Sequence, residues 1–174
     1  MILKIPLLYN NLLKQFYWIF LFFFMVLTSC KNDEAQMSFV NQAYSIPNNF
    51  TETDSKGFII NEDSDDWRIS PVYIGLVEVR PIFPNPVQYG SSVSLEVNFK
   101  GTVYNSRIEL VYLSQSNEWY TLEAKDSTND FDLIHFIIDS YKFGNTGEQA
   151  RGIHRLLLLD GNQRLITYGD LLIQ

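Results

Sequence analysis

Val93-Ser94-Leu95-Glu96-Val97-Asn98-Phe99 alternates apolar and polar side chains without a break. Successive side chains of an extended strand point to opposite faces, so this period places Val93, Leu95, Val97 and Phe99 on one buried face. Similar short runs, rich in β-branched and aromatic residues, lie at Val72–Arg80, Ser106–Leu113, Trp119–Ala124, Asp132–Ile138, Ile153–Leu159 and Arg164–Ile173. The last two are joined by Asp160-Gly161-Asn162, a hairpin signal in which Gly161 is expected to take a positive φ without a Cβ clash. Seven such strands with no sustained helical period predict one all-β domain, an antiparallel β-sandwich over residues 67–174.

Pro84-Asn85-Pro86 follows Arg80-Pro81-Ile82-Phe83 and removes two backbone donors, so the first strand is expected to end there. The block Phe83-Pro84-Asn85-Pro86-Val87, with an alternating strand soon after, resembles the opening of small Ig-like modules in Bacteroidota secreted proteins. These include type IX sorting domains and FlgD-like Ig domains. Gly152-Ile153-His154-Arg155-Leu156-Leu157-Leu158-Leu159-Asp160-Gly161 resembles their penultimate strand and hairpin. The likeness covers residues 80–174 and implies an Ig-like sandwich. It does not imply a transport signal, since sorting domains trail a large cargo and end in a basic strand, whereas this chain ends Asp170-Leu171-Leu172-Ile173-Gln174. Asp66-Trp67-Arg68 through Tyr168-Gly169-Asp170 also resembles a group of Bacteroidota lipoproteins with no assigned activity.

Residues 1–29 hold Lys4 and Lys14 and no acidic residue, and Phe16 to Thr28 carries no charge. That core suits a signal peptide and falls short of the ~20 residues a membrane-spanning helix needs. An uncleaved anchor is the alternative, because Ile2, Leu3, Ile5, Leu7 and Leu8 lengthen the apolar region, but Lys4, Pro6, Asn10, Asn11 and Lys14 interrupt it. Leu27-Thr28-Ser29-Cys30 resembles the lipobox of bacterial lipoproteins, which implies removal of the leader and lipidation of Cys30. Several acyl chains on one cysteine would hold the protein stably on a membrane. Cys30 is the single cysteine, so no disulfide forms within the chain. Cys30-Lys31-Asn32-Asp33-Glu34 resembles the surface-export signal of Bacteroidota lipoproteins and implies the outer face of the outer membrane rather than its periplasmic face.

Without the leader, eleven basic residues stand against twenty acidic ones, a net charge of −9. Such a chain is not expected to bind nucleic acid. Residues 30–66 are rich in Asn, Ser, Thr, Asp and Glu and read as the lipidated cysteine and a polar tether, with one strand at Gly57-Phe58-Ile59-Ile60. As a coil the tether would span about 30 to 35 Å. Glu62-Asp63-Ser64-Asp65-Asp66 and Asn129-Asp130-Phe131-Asp132 lack the glycine and distal glutamate of a calcium loop and read as solvated turns.

Chemistry is sparse. No G-x-S-x-G surrounds Gly90-Ser91-Ser92, and His135 and His154 fall in predicted strands without a metal-ligand spacing. No catalytic residue, metal or cofactor is expected. The aromatic residues are the better candidates, because Trp67, Tyr73, Tyr104, Tyr112, Trp119 and Tyr120 could stack on sugar rings or fill a partner's pockets. Of these, Trp67, Tyr73, Trp119 and Tyr120 form the candidate recognition set, with core packing as the competing role. Trp119 and Tyr120 are neighbours, so their side chains should take opposite faces. The expectation is a non-catalytic lipoprotein, an accessory or structural subunit docking on an outer-membrane protein complex. A surface glycan-binding module is the alternative, and a small hydrolase a distant third.

Overall fold

The structure, a computed structural model of the chain, describes residues 34–100, 107–114, 118–126 and 133–174. The leader, Cys30, Tyr104 and Asn129-Asp130-Phe131-Asp132 lie outside the described residues. Residues 34–43 are helical (α1), and the unit that carries the sheets begins at Phe39 and runs to Gln174.

The sandwich is built from β3 (Val77–Phe83), β4 (Ser92–Phe99), β5 (Arg107–Leu113), β6 (Trp119–Asp126), β7 (Leu133–Asp139), β8 (Gly152–Asp160) and β9 (Leu165–Ile173). One sheet has the order β3-β4-β7 and the other β6-β5-β8-β9, all antiparallel. Ahead of them, β1 (Glu52–Thr53) and β2 (Ile59–Asn61) form a two-stranded sheet of their own. Each expected strand has a counterpart, with its ends shifted in places, and the Gly57–Ile60 strand appears as β2. The chain lays two strands in one sheet, two in the other, one back in the first and two in the second, an all-β sandwich.

Alternation explains the core. Val93, Leu95, Val97 and Phe99 of β4 are buried, as are Ile134, Phe136 and Ile138 of β7, and they meet Ile108, Leu110, Leu156, Leu158 and Ile166 from the facing sheet. Each such side chain contributes about 1.5–3 kcal/mol on burial. The unbroken run Leu156-Leu157-Leu158-Leu159 departs from alternation because β8 is covered on both faces. Leu156 and Leu158 point into the sandwich, while Leu157 and Leu159 join Val111, Leu165 and Tyr168 beneath Phe39 and Ala43 of α1.

That second layer corrects the expected tether over 30–66, because residues 39–66 belong to the fold. Many of their side chains stay exposed, and a few buried polar residues tie the segment to the sandwich. Thr53 and Asn85 exchange backbone hydrogen bonds at 2.8 and 3.2 Å, and Thr53 Oγ1 donates to the Ile82 carbonyl at 2.7 Å. Asn85 lies between two prolines whose preceding peptide bonds, Phe83–Pro84 and Asn85–Pro86, are cis. Its buried amide donates to the carbonyls of Thr51 and Asp170, both at 2.8 Å, and its Oδ1 accepts the Leu172 N–H at 2.9 Å.

Two local expectations change. The strand placed at Val72–Arg80 starts at Val77, because Pro71–Tyr73 form a 3-10 turn and Gly75 has φ +82°. In the β8–β9 hairpin the positive φ belongs to Gln163, at 62°, and not to Gly161. Asp160 sets that geometry: its Oδ1 accepts the N–H groups of Asn162 and Arg164 at 2.8 Å, and its carbonyl accepts Gln163 N–H at 2.9 Å. The result is a tight turn followed by one left-handed residue.

Candidate functional site

The ladder between β5 and β8 runs from Ile108↔Asp160 to Tyr112↔Leu156 and stops. β5 continues to Leu113, paired only with Trp119 of β6, while Gly152 to Arg155 of β8 pair only with β9. Past the end of that ladder, beside Leu113 and Ile153 to Arg155, opens a groove of about 650 Å³. It is the candidate site.

One wall comes from the connection between β7 and β8. Ser140–Phe143 form a 3-10 turn, and the four-residue helix α2 (Gly147–Ala150) follows, capped by Thr146 Oγ1, which accepts the Gln149 N–H. The connection doubles back so tightly that a β-carbon at Gly144 would lie 2.6 Å from Ala150 N. This places the Phe143 ring 4.9 Å from Tyr112 and 4.7 Å from His154. His154 Nε2 lies 2.7 Å from the Ala150 carbonyl. A carbonyl only accepts, so Nε2 carries the proton and Nδ1 is left as an acceptor. Burial pushes the His154 pKa down, which keeps the ring neutral at pH 7.

The opposite wall is the chain leaving α1. Tyr44 meets Trp119 edge-on at 5.5 Å, and Ile46, 89% exposed, and Pro47 continue the lining. At the rim Tyr120 stacks on Tyr112 at 5.2 Å and donates its hydroxyl to Glu118 at 2.8 Å.

The four aromatic residues of the candidate set separate cleanly. Trp119 and Tyr120 are 43% and 45% exposed and, from neighbouring positions of β6, touch the lining residues Tyr44 and Tyr112. Trp67 and Tyr73 are core residues and leave the recognition set: Trp67 packs on Gly169, and the Tyr73 hydroxyl donates to Asp160 Oδ2 at 2.5 Å. Burial, reinforced by Asp160, pushes the Tyr73 pKa up. Tyr44, Ile46 and Phe143 were not singled out from sequence. The cluster Tyr44-Ser45-Ile46-Pro47 was the available signal, an apolar group inside a polar stretch.

The remaining chemistry lies elsewhere. His135 faces Glu96 across the β4–β7 register, with Nδ1 3.6 Å from Oε1, and Glu96 also holds Arg80 at 3.1 Å on an open sheet face. Asp66 is buried, with Oδ2 accepting Thr51 N–H at 2.7 Å and Oδ1 without a partner among the described residues. Burial, then the nearby Asp170 carboxylate, pushes the Asp66 pKa up to about 7. Among the described residues no cluster of His, Cys, Asp and Glu could hold a metal ion, and no helix is long and apolar enough to cross a membrane.

Several backbone groups on the outer edges of the sandwich are taken by side chains or loops. On β7, the Ile137 N–H donates to Glu123 Oε2 at 3.2 Å, and the His135 carbonyl accepts from Lys125 Nζ. On β6, the Leu122 carbonyl accepts from Lys142 Nζ at 2.7 Å. On β9, Trp67, Ser70 and Val87 donate backbone N–H groups to Tyr168, Ile166 and Leu172 at 2.7 to 2.9 Å. On β3, the Ile82 carbonyl accepts from Thr53.

No protein-family model matches the chain, and no curated protein matches it.

Proposed function

We propose that this chain is a non-catalytic lipoprotein, held on the outer membrane through lipid on Cys30, whose sandwich docks as an accessory subunit on an outer-membrane protein complex. The observation that carries the reading is the groove at the ends of β5 and β8, an open surface lined by Tyr44, Tyr112, Phe143 and His154. Exposed aromatic side chains beside a cleft suit the anchoring of a partner's side chains. The lipobox resemblance at Leu27-Thr28-Ser29-Cys30 supplies the location, and the acidic residues Asp33 and Glu34 favour the cell surface.

Affinity purification of the full chain after mild detergent extraction of native membranes should recover a stoichiometric partner. A monodisperse monomer with no enriched protein overturns the reading. A second reading, a surface glycan-binding module, draws on the exposure of Trp119 and Tyr120. Calorimetry with neutral oligosaccharides tests it, and saturable binding lost in Trp119→Ala and Tyr120→Ala would favour it over docking.

A further inference from the structure

We infer that the hairpin of β1 and β2 rests in a lipid surface, with Phe58, Ile59 and Ile60 sunk among the headgroups and upper acyl chains of the membrane that holds Cys30. The inference rests on the lipid-anchor reading above.

The first support is apolar exposure on two faces. Phe58, Ile59 and Ile60 are 65%, 48% and 62% exposed. Neighbouring side chains of an extended strand point to opposite faces, so Phe58 and Ile60 lie on one face of the ribbon and Ile59 on the other. The ribbon is a sheet of two strands, and it leaves apolar side chains open on both sides. A flat protein surface would cover one face, whereas a fluid apolar medium closes around both.

The second support is a preformed turn. Asp54 Oδ1 accepts the N–H groups of Lys56 and Phe58 at 2.8 and 2.9 Å, and Gly57, with φ +77°, donates its N–H to the Asp54 carbonyl at 3.0 Å. Arg80 donates to the carbonyls of Lys56 and Gly57 and so fixes the turn to β3. The fit is close enough that a β-carbon at Gly57 would lie 2.7 Å from the guanidinium. The three apolar residues are presented on a built support, which lowers the ordering cost of contact.

The third support is reach. The folded unit begins at Phe39, nine residues after Cys30, and nine residues of extended chain span at most about 32 Å. A compact domain of residues 39–174 is roughly 35 to 40 Å across, so the link to the lipid is shorter than the domain is wide. The ribbon is rooted at the corner where α1 ends. Arg155 donates to the Ala43 carbonyl and pairs with Asp170, the Asp170 and Thr51 carbonyls share the Asn85 amide, and Asn85 exchanges backbone hydrogen bonds with Thr53 of β1. The net charge of −9 favours neutral over anionic headgroups.

The test uses the full chain, purified from native membranes in detergent and reconstituted in phosphatidylcholine vesicles with or without bromine on the acyl chains. Cys30 is the single cysteine, so once it carries lipid an introduced cysteine is the one free thiol. A fluorophore is attached to Ile60→Cys. The same fluorophore on Asn162→Cys, at the far end of β9 from Asp170, controls for the affinity of the dye itself. Brominated chains should quench the label of Ile60→Cys and spare that of Asn162→Cys. Adding Phe58→Ser and Ile59→Ser should move the ribbon toward water by about tenfold for each side chain and bring the quenching down to the control level. All three side chains are exposed, so the fold does not depend on them. Equal quenching of the two labels, or quenching unchanged by the two serines, overturns the inference. A label shielded from water in native membranes yet unquenched in pure lipid vesicles also overturns it and assigns the ribbon to a protein partner. Mass spectrometry of Cys30 separates this inference from the reading beneath it. A lipidated chain whose Ile60→Cys label is not quenched leaves the anchor standing and refutes the ribbon contact, whereas a chain with no acyl group on Cys30 removes the anchor reading and the inference with it.

Discussion

The indole of Trp67 lies against the backbone of Gly169, so close that a β-carbon at Gly169 would fall 2.2 Å from Trp67 Cε2. Trp67 reaches this position with a left-handed backbone, φ 57°, and its N–H donates to the Tyr168 carbonyl at 2.7 Å. The ring is buried and has nowhere to retreat. Gly169→Ala should therefore destabilise the fold by about 1–3 kcal/mol, the usual cost of overpacking. Urea unfolding reads this as a lower midpoint at unchanged slope. An alanine variant as stable as wild type would contradict the packing described.

Arg155 and Asp170 face each other in the β8–β9 register, with Nε to Oδ1 at 2.5 Å and Nη2 to Oδ2 at 2.8 Å. Nη1 donates to the carbonyls of Gln42 and Ala43, at 2.9 and 3.3 Å, so the pair also holds the end of α1. Asp170→Asn leaves the guanidinium charge buried without its counter-ion and should cost about 3–5 kcal/mol. Arg155→Met combined with Asp170→Leu should recover much of that loss. Chemical denaturation of the single and double variants checks it, and a double variant weaker than Asp170→Asn would overturn the expectation.

Asp66 carries a pH dependence with a definite sign. An unfolded aspartate titrates near 3.9, whereas Asp66 in the fold titrates at about 7. Between these values the folded chain holds a proton that the unfolded chain has lost, so this residue lowers stability progressively as pH rises from about 4 to 7. The full effect above pH 7 is about 4 kcal/mol. Asp66→Asn keeps an acceptor for the Thr51 N–H and removes the ionisation. The variant should be more stable than wild type at pH 8, with the gap closing toward pH 4. Parallel stability curves across that range would show that Asp66 does not titrate as described.

Cys30 lies outside the described residues, and its role is tested in the cell. Cys30→Ala should release the protein from membranes or leave an uncleaved precursor. Normal processing with full membrane retention would contradict lipidation there.

The legibility of the fold varied with the physical signal available. Where one face of a strand is buried, as in Val93 to Phe99, alternation reveals both the strand and its orientation. Leu156 to Leu159 hid its second covered face, because a continuous apolar run does not say what covers it. The covering residues, Phe39 and Ala43, sit in a polar stretch whose pairing partners, such as Asn85 for Thr53, are distant in sequence. The groove shows the same division. Trp119 and Tyr120 were legible as neighbours on opposite faces of a strand, but a ladder that stops at Tyr112↔Leu156 is set by tertiary packing. Trp67 and Tyr73 are chemically the same kinds of residue as Trp119 and Tyr120, and only burial separates them.

The side chains that close β6 and β7 bear on how many molecules can associate. Glu123, Lys125 and Lys142 occupy backbone positions through which two copies would otherwise zip together edge to edge. With those positions taken, edge-to-edge pairing of two copies would first have to displace these side chains.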